Sequence, residues 1–281
     1  MNRYWAQRIG FTVLGLASLI VIVPILLVIG AIAVRGISAI NWEFLSAMPR
    51  DGMKAGGIFP AIVGTVILTI GTAAVAIPIG VGAAIYLSEY ARDTFFTRAI
   101  RLAIVNLAGI PSVVYGLFGL GMFVLFLGFG TSILAGSLTL ALMTLPVIIS
   151  TAEEALRAVP VEFRTVSASL GGTRWQGIRH VVLPQSLPGI ITGIILGLLR
   201  AAGETAPILF TVAAFYLPRL PHSLFDQTMA LPYHLYVIST QVPGMPSEIQ
   251  FGTALVLLGL TLFLNIIATA IRSYFRRKRE W

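Results

Sequence analysis

An arginine and a glutamate stand four residues apart inside an apolar run of the chain. Arg200 and Glu204 occur in LLRAAGETAPILF, residues 198–210. A guanidinium offers paired N–H donors that match the oxygens of an anion, and it keeps its charge in a dry site. Glu204, one helical turn away, competes for that guanidinium and so weakens its hold on a bound anion. This pattern predicts a path for a small anion, to which we also assign Thr205.

A purely structural interpretation of this pair stays open. Arg200 and Glu204 would then form an ion pair that neutralises itself and joins neighbouring helices. Packed apolar residues often stabilise a protein as well as a buried ion pair does, so stability alone is a weak reason for two charges here. Pro207, three residues after Glu204, lacks an N–H group and predicts a point about which the helix bends.

The composition indicates the medium in which these charges lie. Of the 281 residues, 57% are hydrophobic and 11% are charged, whereas about a quarter of the residues in soluble domains are charged. This composition is typical of an integral membrane protein. The net charge of +8 does not indicate a nucleic-acid partner, because the arginines flank apolar runs instead of forming a basic face.

The sequence predicts neither a metal site nor a nucleotide site. The chain has no cysteine, and its three histidines are widely separated, so no metal ligand set is expected. Its two lysines, Lys54 and Lys278, stand outside any G-x-x-x-x-G-K-[ST] motif, which cradles nucleotide phosphates. We therefore expect this chain to bind no cofactor. If ATP drives it, a separate chain binds the ATP.

Six apolar runs are each long enough to cross a membrane as a helix, which requires about 20 residues. The sequence thus predicts an all-α, multi-pass membrane protein whose single domain covers residues 1–281. The predicted spans cover about residues 9–34, 58–87, 102–127, 131–150, 187–214 and 251–271.

The positive charges orient these spans. Fourteen of the nineteen Arg and Lys residues flank one side, four flank the other side, and Arg200 lies within a span. Positive residues collect on the cytoplasmic side of a membrane, so both termini are expected in the cytoplasm. Residues 216–250, which include five prolines, are then an outer loop that folds back on the membrane or meets an external partner.

Residues 151–186 form the most organised segment outside the predicted spans. Pro160 and Glu162 favour the start of a helix, and Gly171 favours its end. An apolar stripe on one face of this helix consists of Phe163, Val166 and Leu170. A second short helix is expected to begin at Thr173 and to end at Pro184.

These two helices, residues 160–184, form a small helix–turn–helix that we call the knob. Three arginines are expected on it, at positions 164, 174 and 179. The knob either rests on the inner leaflet, with its arginines on lipid phosphates, or docks a cytoplasmic partner. Periodicity alone leaves both interpretations open.

The knob resembles a motif of ATP-binding-cassette importer permeases, which reads E-A-A, three residues, G, nine residues and I-x-L-P. Here TVS at 165–167, Gly171 and VVLP at 181–184 stand at those positions. Two further stretches, NLAGIPSVVYGLFGLG at 106–121 and RAAGETAPILFT at 200–211, are similar to phosphate-specific importer permeases of the PstA type. The resemblance covers about residues 58–275.

The resemblance implies a type I importer permease fold and a non-catalytic subunit that carries inorganic phosphate into the cytoplasm across a bacterial inner membrane. It also implies a related second permease, two ATPase subunits that bind ATP and Mg²⁺, and an external phosphate-binding protein. The residues corresponding to the family's ATPase contact are Glu162, Phe163, Arg164, Val166, Leu170 and Gly171. TVS lacks the glutamate of the motif, and Glu162, one turn earlier, is a candidate to replace it.

Small residues predict how the fifth span packs. Gly189, Gly193 and Gly197 recur every four residues and form a strip on which another helix can approach closely. Arg200 lies about 60° and Glu204 about 20° from Gly197 around the helix, so both charges face the protein. Arg200 is about 20 Å into the span. A charge near the middle of a bilayer costs about 3 kcal/mol or more, which makes it a functional candidate.

The third span offers weaker candidates for the path. Pro111 predicts a kink, Ser112 is expected to satisfy a carbonyl freed by that kink, and Tyr115 is a lesser candidate for the lining. An oxyanion other than phosphate is the first alternative for the substrate. A secondary transporter or channel is the next, although no inverted repeat is evident and the knob has no role in it. An intramembrane enzyme would need a nucleophile and base, or a metal cluster, within the spans.

Overall fold

The computed structural model of the chain describes residues 3–169 and 171–277. Twelve α-helices, α1 to α12, and one hairpin of two short strands make up the regular structure of this described part. The all-α membrane fold expected from the sequence is confirmed. Leu170 lies outside the described residues, as does the side chain of Val166.

Five helices of the described residues are long and apolar enough to cross a membrane. They are α1 (Arg3–Gly36), α3 (Phe59–Ile85), α6 (Ile133–Arg157), α9 (Leu183–Gly203) and α12 (Ser247–Arg277). A sixth span exists only if α4 (Phe95–Ala108) and α5 (Ser112–Gly119) count as one, because they are bent by 103°. The kink expected at Pro111 is therefore a break between two helices.

The remaining elements are short. Helix α2 (Trp42–Ser46) precedes a hairpin of β1 (Pro49–Arg50) and β2 (Ala55–Gly56), which pair antiparallel. The other helices are α7 (Val161–Ser169), α8 (Arg174–Gly177), α10 (Ala206–Thr211) and α11 (Leu231–Thr240). π-helical turns cover Tyr86–Tyr90, Leu120–Phe126 and Ile178–Val182.

The helix break expected at Pro184 is wrong. The π-helical turn Ile178–Val182 joins α8 to α9, and Pro184 lies in the first turn of α9. The π-helical turn directly before Pro184 changes the backbone hydrogen-bond pattern, and such local adjustments let a helix continue through a residue that lacks an N–H donor. The knob is consequently continuous with α9, although the helix that follows it was expected to begin near residue 187.

The centre of the bundle consists of α3, α6 and α9, which pack closely because glycines line their contacts. A Cβ atom added at Gly193 of α9 would lie 2.7 Å from Cβ of Thr151 on α6, and one at Gly197 would lie 3.0 Å from Ile148. Gly189 packs in the same way against Ala155. The strip of glycines thus faces α6, while most apolar side chains of α1 and many of α12 are exposed at the edge of the bundle.

Gly193→Leu is expected to push α9 away from α6 and to destabilise the chain. Inserting a large side chain into a packed contact costs about 1–3 kcal/mol, which lowers the Tm of the protein in detergent. Gly259→Leu is the matched control, because Gly259 is exposed on α12 and no atom lies within 4 Å of its added Cβ. Equal Tm values for the two variants would contradict this packing.

The segment of residues 216–250 folds back onto the bundle. Its helix α11 buries Leu231, whose backbone N–H donates to Oγ1 of Thr65 on α3 at 2.8 Å. Shortly before this helix, Thr228 forms an isolated parallel β-bridge with Ala213. Backbone N–H groups of His222, and then Ser223, donate to Asp226, and these bonds lower the pKa of that exposed carboxyl. This loop therefore has a defined structure and covers one end of α3.

Candidate functional site

The Arg200–Glu204 pair lies where a spanning helix is interrupted. α9 ends at Gly203, α10 begins at Ala206, and Glu204 and Thr205 occupy the gap. Pro207 explains the interruption, because it cannot donate the hydrogen bond that would continue α9. Broken helices free backbone groups within a membrane protein and are common where transporters bind their substrates.

The two charged side chains contact each other only loosely. Nε of Arg200 is 3.5 Å from Oε1 of Glu204, and the side chains are 36% and 18% exposed. In the described part of the chain, Glu204 is the only charged partner of Arg200. The guanidinium therefore keeps most of its N–H donors for a ligand. By contrast, Arg98 and Asp93 form two hydrogen bonds, of 2.8 and 2.9 Å, at the surface.

The neighbouring helices place this pair within the bundle. Gly197 packs against Thr144 and Ile148, which lie near the middle of α6. Arg200 and Glu204 lie one and two turns further along the chain, towards the end that the 216–250 loop covers. Both residues are consequently remote from the knob, which lies at the opposite end of α9.

A small cavity adjoins Glu204. Its volume is about 10 Å³, which is about the space required by one water molecule. It is lined by helices α3, α6, α9 and α10, by Glu204 between the last two, and by the 216–250 loop, through Thr65, Leu68, Thr69, Leu140, Ala201, Ala202, Glu204, Ile208, Ala230 and Pro232. An anion larger than water requires these elements to separate.

Thr205 and the third predicted span lie close to the break. Thr205 precedes α10, and its hydroxyl makes no capping hydrogen bond, so it is available to a ligand. Gly116 of α5 lies so close to α10 that an added Cβ would be 3.0 Å from Cα of Pro207. Helix α5 thus supports the second half of the broken helix.

Tyr115 has a structural contact in the bend between α4 and α5. Its ring is buried, and its hydroxyl donates to the carbonyl of Leu107 at 2.9 Å. This hydrogen bond joins the two helices across the bend that Pro111 begins. Ser112 is the first residue of α5 and is partly exposed. The structure thus gives the Tyr115 hydroxyl a backbone partner within the bend.

The knob is built from α7 and α8, which are separated by a tight turn. Gly171 has a φ of +75°, which side-chain-bearing residues rarely adopt. Thr173 and Gln176 form a reciprocal capping box that opens α8. Gly171 and the capping box explain why the chain reverses here.

The knob presents some candidate residues outward and turns others inward. Val161, Glu162 and Trp175 are exposed. Phe163 instead packs against the buried cluster that includes Leu156. Arg164, which the sequence assigned to a partner, donates to Glu89 at 3.1 Å.

Glu89 was missed in the sequence, although a local signal existed. It follows the apolar helix α3 within four residues, and an acidic side chain at that position is unusual for a lipid-facing surface. Among residues 3–169 and 171–277, no three His, Asp or Glu side chains are grouped as metal ligands would be.

Long apolar helices around a broken helix, with a helical knob at one end, define the chain as a membrane permease. Its fold is similar to that of a bacterial ABC transporter involved in alginate import, with a TM-score of 0.66, 15% identity, and coverage of 96% of this chain and 99% of that chain. It is also similar to the MetNI methionine ABC transporter in an inward-facing conformation, with a TM-score of 0.62, 16% identity, and coverage of 76% of this chain and 94% of that chain.

Sequence comparison identifies the family. Residues 76–281 match the binding-protein-dependent transport system inner membrane component, and the chain belongs to this family. A phosphate transport system permease protein PstA of Mycobacterium leprae is 34% identical over 92% of this chain and 86% of its own length. The probable ABC transporter permease YqgI of Bacillus subtilis is 31% identical over 99% of both chains. The type I importer permease fold expected from the resemblance is confirmed.

Proposed function

We propose that this chain is the membrane-spanning subunit of an ATP-driven importer that moves inorganic phosphate into the cytoplasm. The observation that carries the proposal is the loosely paired, partly exposed Arg200 at a break in a spanning helix. Relatives named as phosphate permeases, such as the 34% identical protein of Mycobacterium leprae, support phosphate as the anion.

The proposed assembly contains a related second permease, two ATPase subunits and an external phosphate-binding protein. ATP and Mg²⁺ are bound by the ATPase subunits, while this chain carries out no catalysis and holds no cofactor. Both termini and the knob face the cytoplasm of a bacterial inner membrane. The exposure of Arg200 supports a path that the second permease completes, because one chain leaves the guanidinium uncovered on one side.

The two charges have complementary roles in this path. Arg200 offers paired donors to two oxygens of the anion and needs no protonation change to do so. Glu204 returns to the guanidinium as the anion leaves, so the anion does not stay bound. Thr205 supplies a hydroxyl directly after Glu204. On the knob, Glu162, Phe163, Val166, Leu170 and Gly171 are the residues proposed for the ATPase interface, with Arg164 behind them.

Transport in reconstituted vesicles tests this function. Vesicles that contain the complete complex are expected to accumulate phosphate only with both ATP inside and loaded binding protein outside. Uptake that continues without ATP would instead support a secondary transporter or channel. ATP-dependent uptake of a different oxyanion, but not of phosphate, would support the alternative substrate.

Glu204→Gln is expected to reduce the preference for phosphate over sulfate. A glutamate accepts a hydrogen bond from protonated phosphate, which sulfate cannot donate at neutral pH. Glutamine keeps a neutral acceptor and adds an N–H donor that also suits sulfate, so the charge-assisted part of a hydrogen bond of about 1.5–3 kcal/mol is lost and the preference is expected to fall about tenfold. The measurement is uptake of labelled phosphate with increasing sulfate, using one binding protein throughout.

Glu248→Gln is the control for the Glu204 variant, because Glu248 is exposed at the start of α12, in the 216–250 loop. Its preference is expected to equal that of the parent chain. The selectivity role of Glu204 is contradicted if both variants retain the parent preference.

A further inference from the structure

The knob meets the bundle at an unusual helix end. Helix α3 finishes in the π-helical turn Tyr86–Tyr90, where Leu87 and Glu89 are buried. Glu89 is 8% exposed although it carries a carboxylate. π-helical turns are rare and occur frequently at functional positions. The function proposed above leaves this turn without a role.

Arg164 of α7 binds this turn through its charge. It donates to Oε1 of Glu89 at 3.1 Å and to Oε2 at 3.4 Å. The same guanidinium donates to the carbonyls of Leu156 at 2.8 Å and Val159 at 2.6 Å, at the end of α6. A single side chain of the knob is therefore bonded to the ends of two spanning helices.

Two further arginines hold the same turn through its backbone. Arg174 of α8 donates to the carbonyl of Glu89, and its guanidinium lies 5.2 Å from the ring centroid of Tyr90. Arg101 of α4 donates to the carbonyl of Leu87 at 2.8 Å. The π-helical turn is thus the place where the knob and α4 are both joined to α3.

Apolar packing between the knob and this turn is incomplete. A cavity of about 270 Å³ lies beside the contact and is lined by Glu89, Arg164, Ser167, Arg174, Gly177 and Val182, among others. Phe163 provides an apolar contact with the cluster that contains Ala84. The cavity thus lies beside the hydrogen bonds by which Arg164 and Arg174 hold the turn.

The opposite end of α3 reaches the proposed anion path. Thr65, Leu68 and Thr69 line the small cavity beside Glu204. Thr69 and Glu89 are twenty residues apart along α3 and the π-helical turn that continues it, which corresponds to about 30 Å of helix with Pro78 inside it. Movement of the π-helical turn along the axis of α3 therefore moves the wall of the cavity.

Helices α3 and α6 approach each other closely at two glycines. Gly71 of α3 packs directly on Ser137 of α6, and Gly80 packs on Ile148 at 2.7 Å from its added Cβ. The buried hydroxyls of Thr72 and Ser137 have no hydrogen-bond partner in this arrangement. Small sliding of packed helices is one form that a conformational change takes.

We infer that Glu89 is the positioning residue through which displacement of the knob by the ATPase moves α3 and opens the path beside Glu204. This inference rests on the proposed function for its direction of transport. The opening itself requires only nucleotide and the assembled complex. Arg164 and Arg174 bind the π-helical turn, and α3 carries the displacement of this turn along its axis. Thr69 lies in the part of the cavity lining that then moves.

The test follows the access of a thiol reagent to the path. The chain has no cysteine of its own, so Thr69→Cys introduces a single reactive group into a cavity that is too small for the reagent. In the assembled complex, ATP is expected to raise the labelling rate about tenfold or more. Adding Glu89→Gln is expected to remove that increase while the ATPase subunits stay bound.

Two further variants test whether the effect is specific to Glu89. Asp93→Asn removes a carboxylate three residues after the same turn, which pairs with the exposed Arg98 at 2.8 Å and not with the knob, and it is expected to keep the ATP-dependent labelling. The double variant Glu89→Gln with Arg164→Gln removes both charges, so no unpaired charge disturbs folding, and it is expected to lose the response. A complex that responds to ATP equally with and without Glu89 overturns the inference, as does a parent complex in which Thr69→Cys never becomes reactive.

The same experiment separates this inference from the proposed function. If phosphate is not transported but labelling responds to ATP through Glu89, the inference stands and the substrate assignment fails. If phosphate is transported and labelling ignores Glu89, the inference alone fails.

Discussion

Arg200→Gln is expected to abolish ATP-driven phosphate uptake while the chain still assembles with its partners. Glutamine has a similar reach but lacks the charge and the planar pair of donors that match two phosphate oxygens. Assembly is expected to survive because Arg200 is more than a third exposed and its contact with Glu204 is 3.5 Å. The measurement is phosphate uptake by cells at equal membrane abundance of the chain.

Two variants control for the loss of charge alone. Arg200→Lys keeps the charge without the planar donors, so a small residual uptake is expected. Arg98→Gln removes an arginine from an exposed ion pair with Asp93, and its uptake is expected to match that of the parent chain. Unchanged uptake by Arg200→Gln would return the pair to its structural interpretation, in which Arg200 only holds Glu204.

Gly171→Val is expected to uncouple the chain from its ATPase. Gly171 has a φ of +75°, which a β-branched residue adopts only at a cost of about 1–3 kcal/mol. No atom lies within 4 Å of an added Cβ, so strain and not collision is the cause. The turn is expected to relax, α8 to shift against α7, and retention of the ATPase subunits to fall about tenfold on purification.

Gly171→Asn is the matched control for this strain. Asparagine tolerates the left-handed conformation far better than valine. Its complex is expected to retain the ATPase subunits and most of the ATP-dependent uptake. If valine and asparagine behave alike, the turn at Gly171 does not determine docking.

The parts of the fold that follow from local chemistry were predictable from the sequence. Long apolar runs indicate spanning helices because an isolated helix satisfies its own backbone in lipid. The break after Gly203 follows from Pro207, and the reversal of the knob follows from Gly171. The close contact of α9 with α6 follows from glycines at every fourth position.

Features that depend on distant residues were not predictable in this way. Arg101 and Glu153 are 52 residues apart, and Arg164 and Glu89 are 75 apart, so no local pattern relates them. The sequence of α7 predicts an ATPase contact for Arg164, because it contains nothing that indicates the buried Glu89 to which Arg164 donates. The 103° bend after α4 depends on the packing of α5 against α10, which Pro111 alone does not specify.

The proposed anion path is closed beside Glu204 in this structure. A cavity of about 10 Å³ cannot hold phosphate, so transport requires a second arrangement of the helices that line it. Helix α3 contributes three of these lining residues and also ends at the knob. Arg200 and Glu89 consequently test different steps, namely contact with the anion and opening of the path.

Initial rates of phosphate uptake into vesicles test the central claim most directly. The complete complex is reconstituted with either the parent chain or Arg200→Gln, at equal protein content, and ATP hydrolysis is measured in the same vesicles. The parent chain is expected to take up phosphate only with ATP and binding protein, and the variant is expected to show no uptake above background although it still hydrolyses ATP. Equal uptake by the two complexes would contradict the central claim.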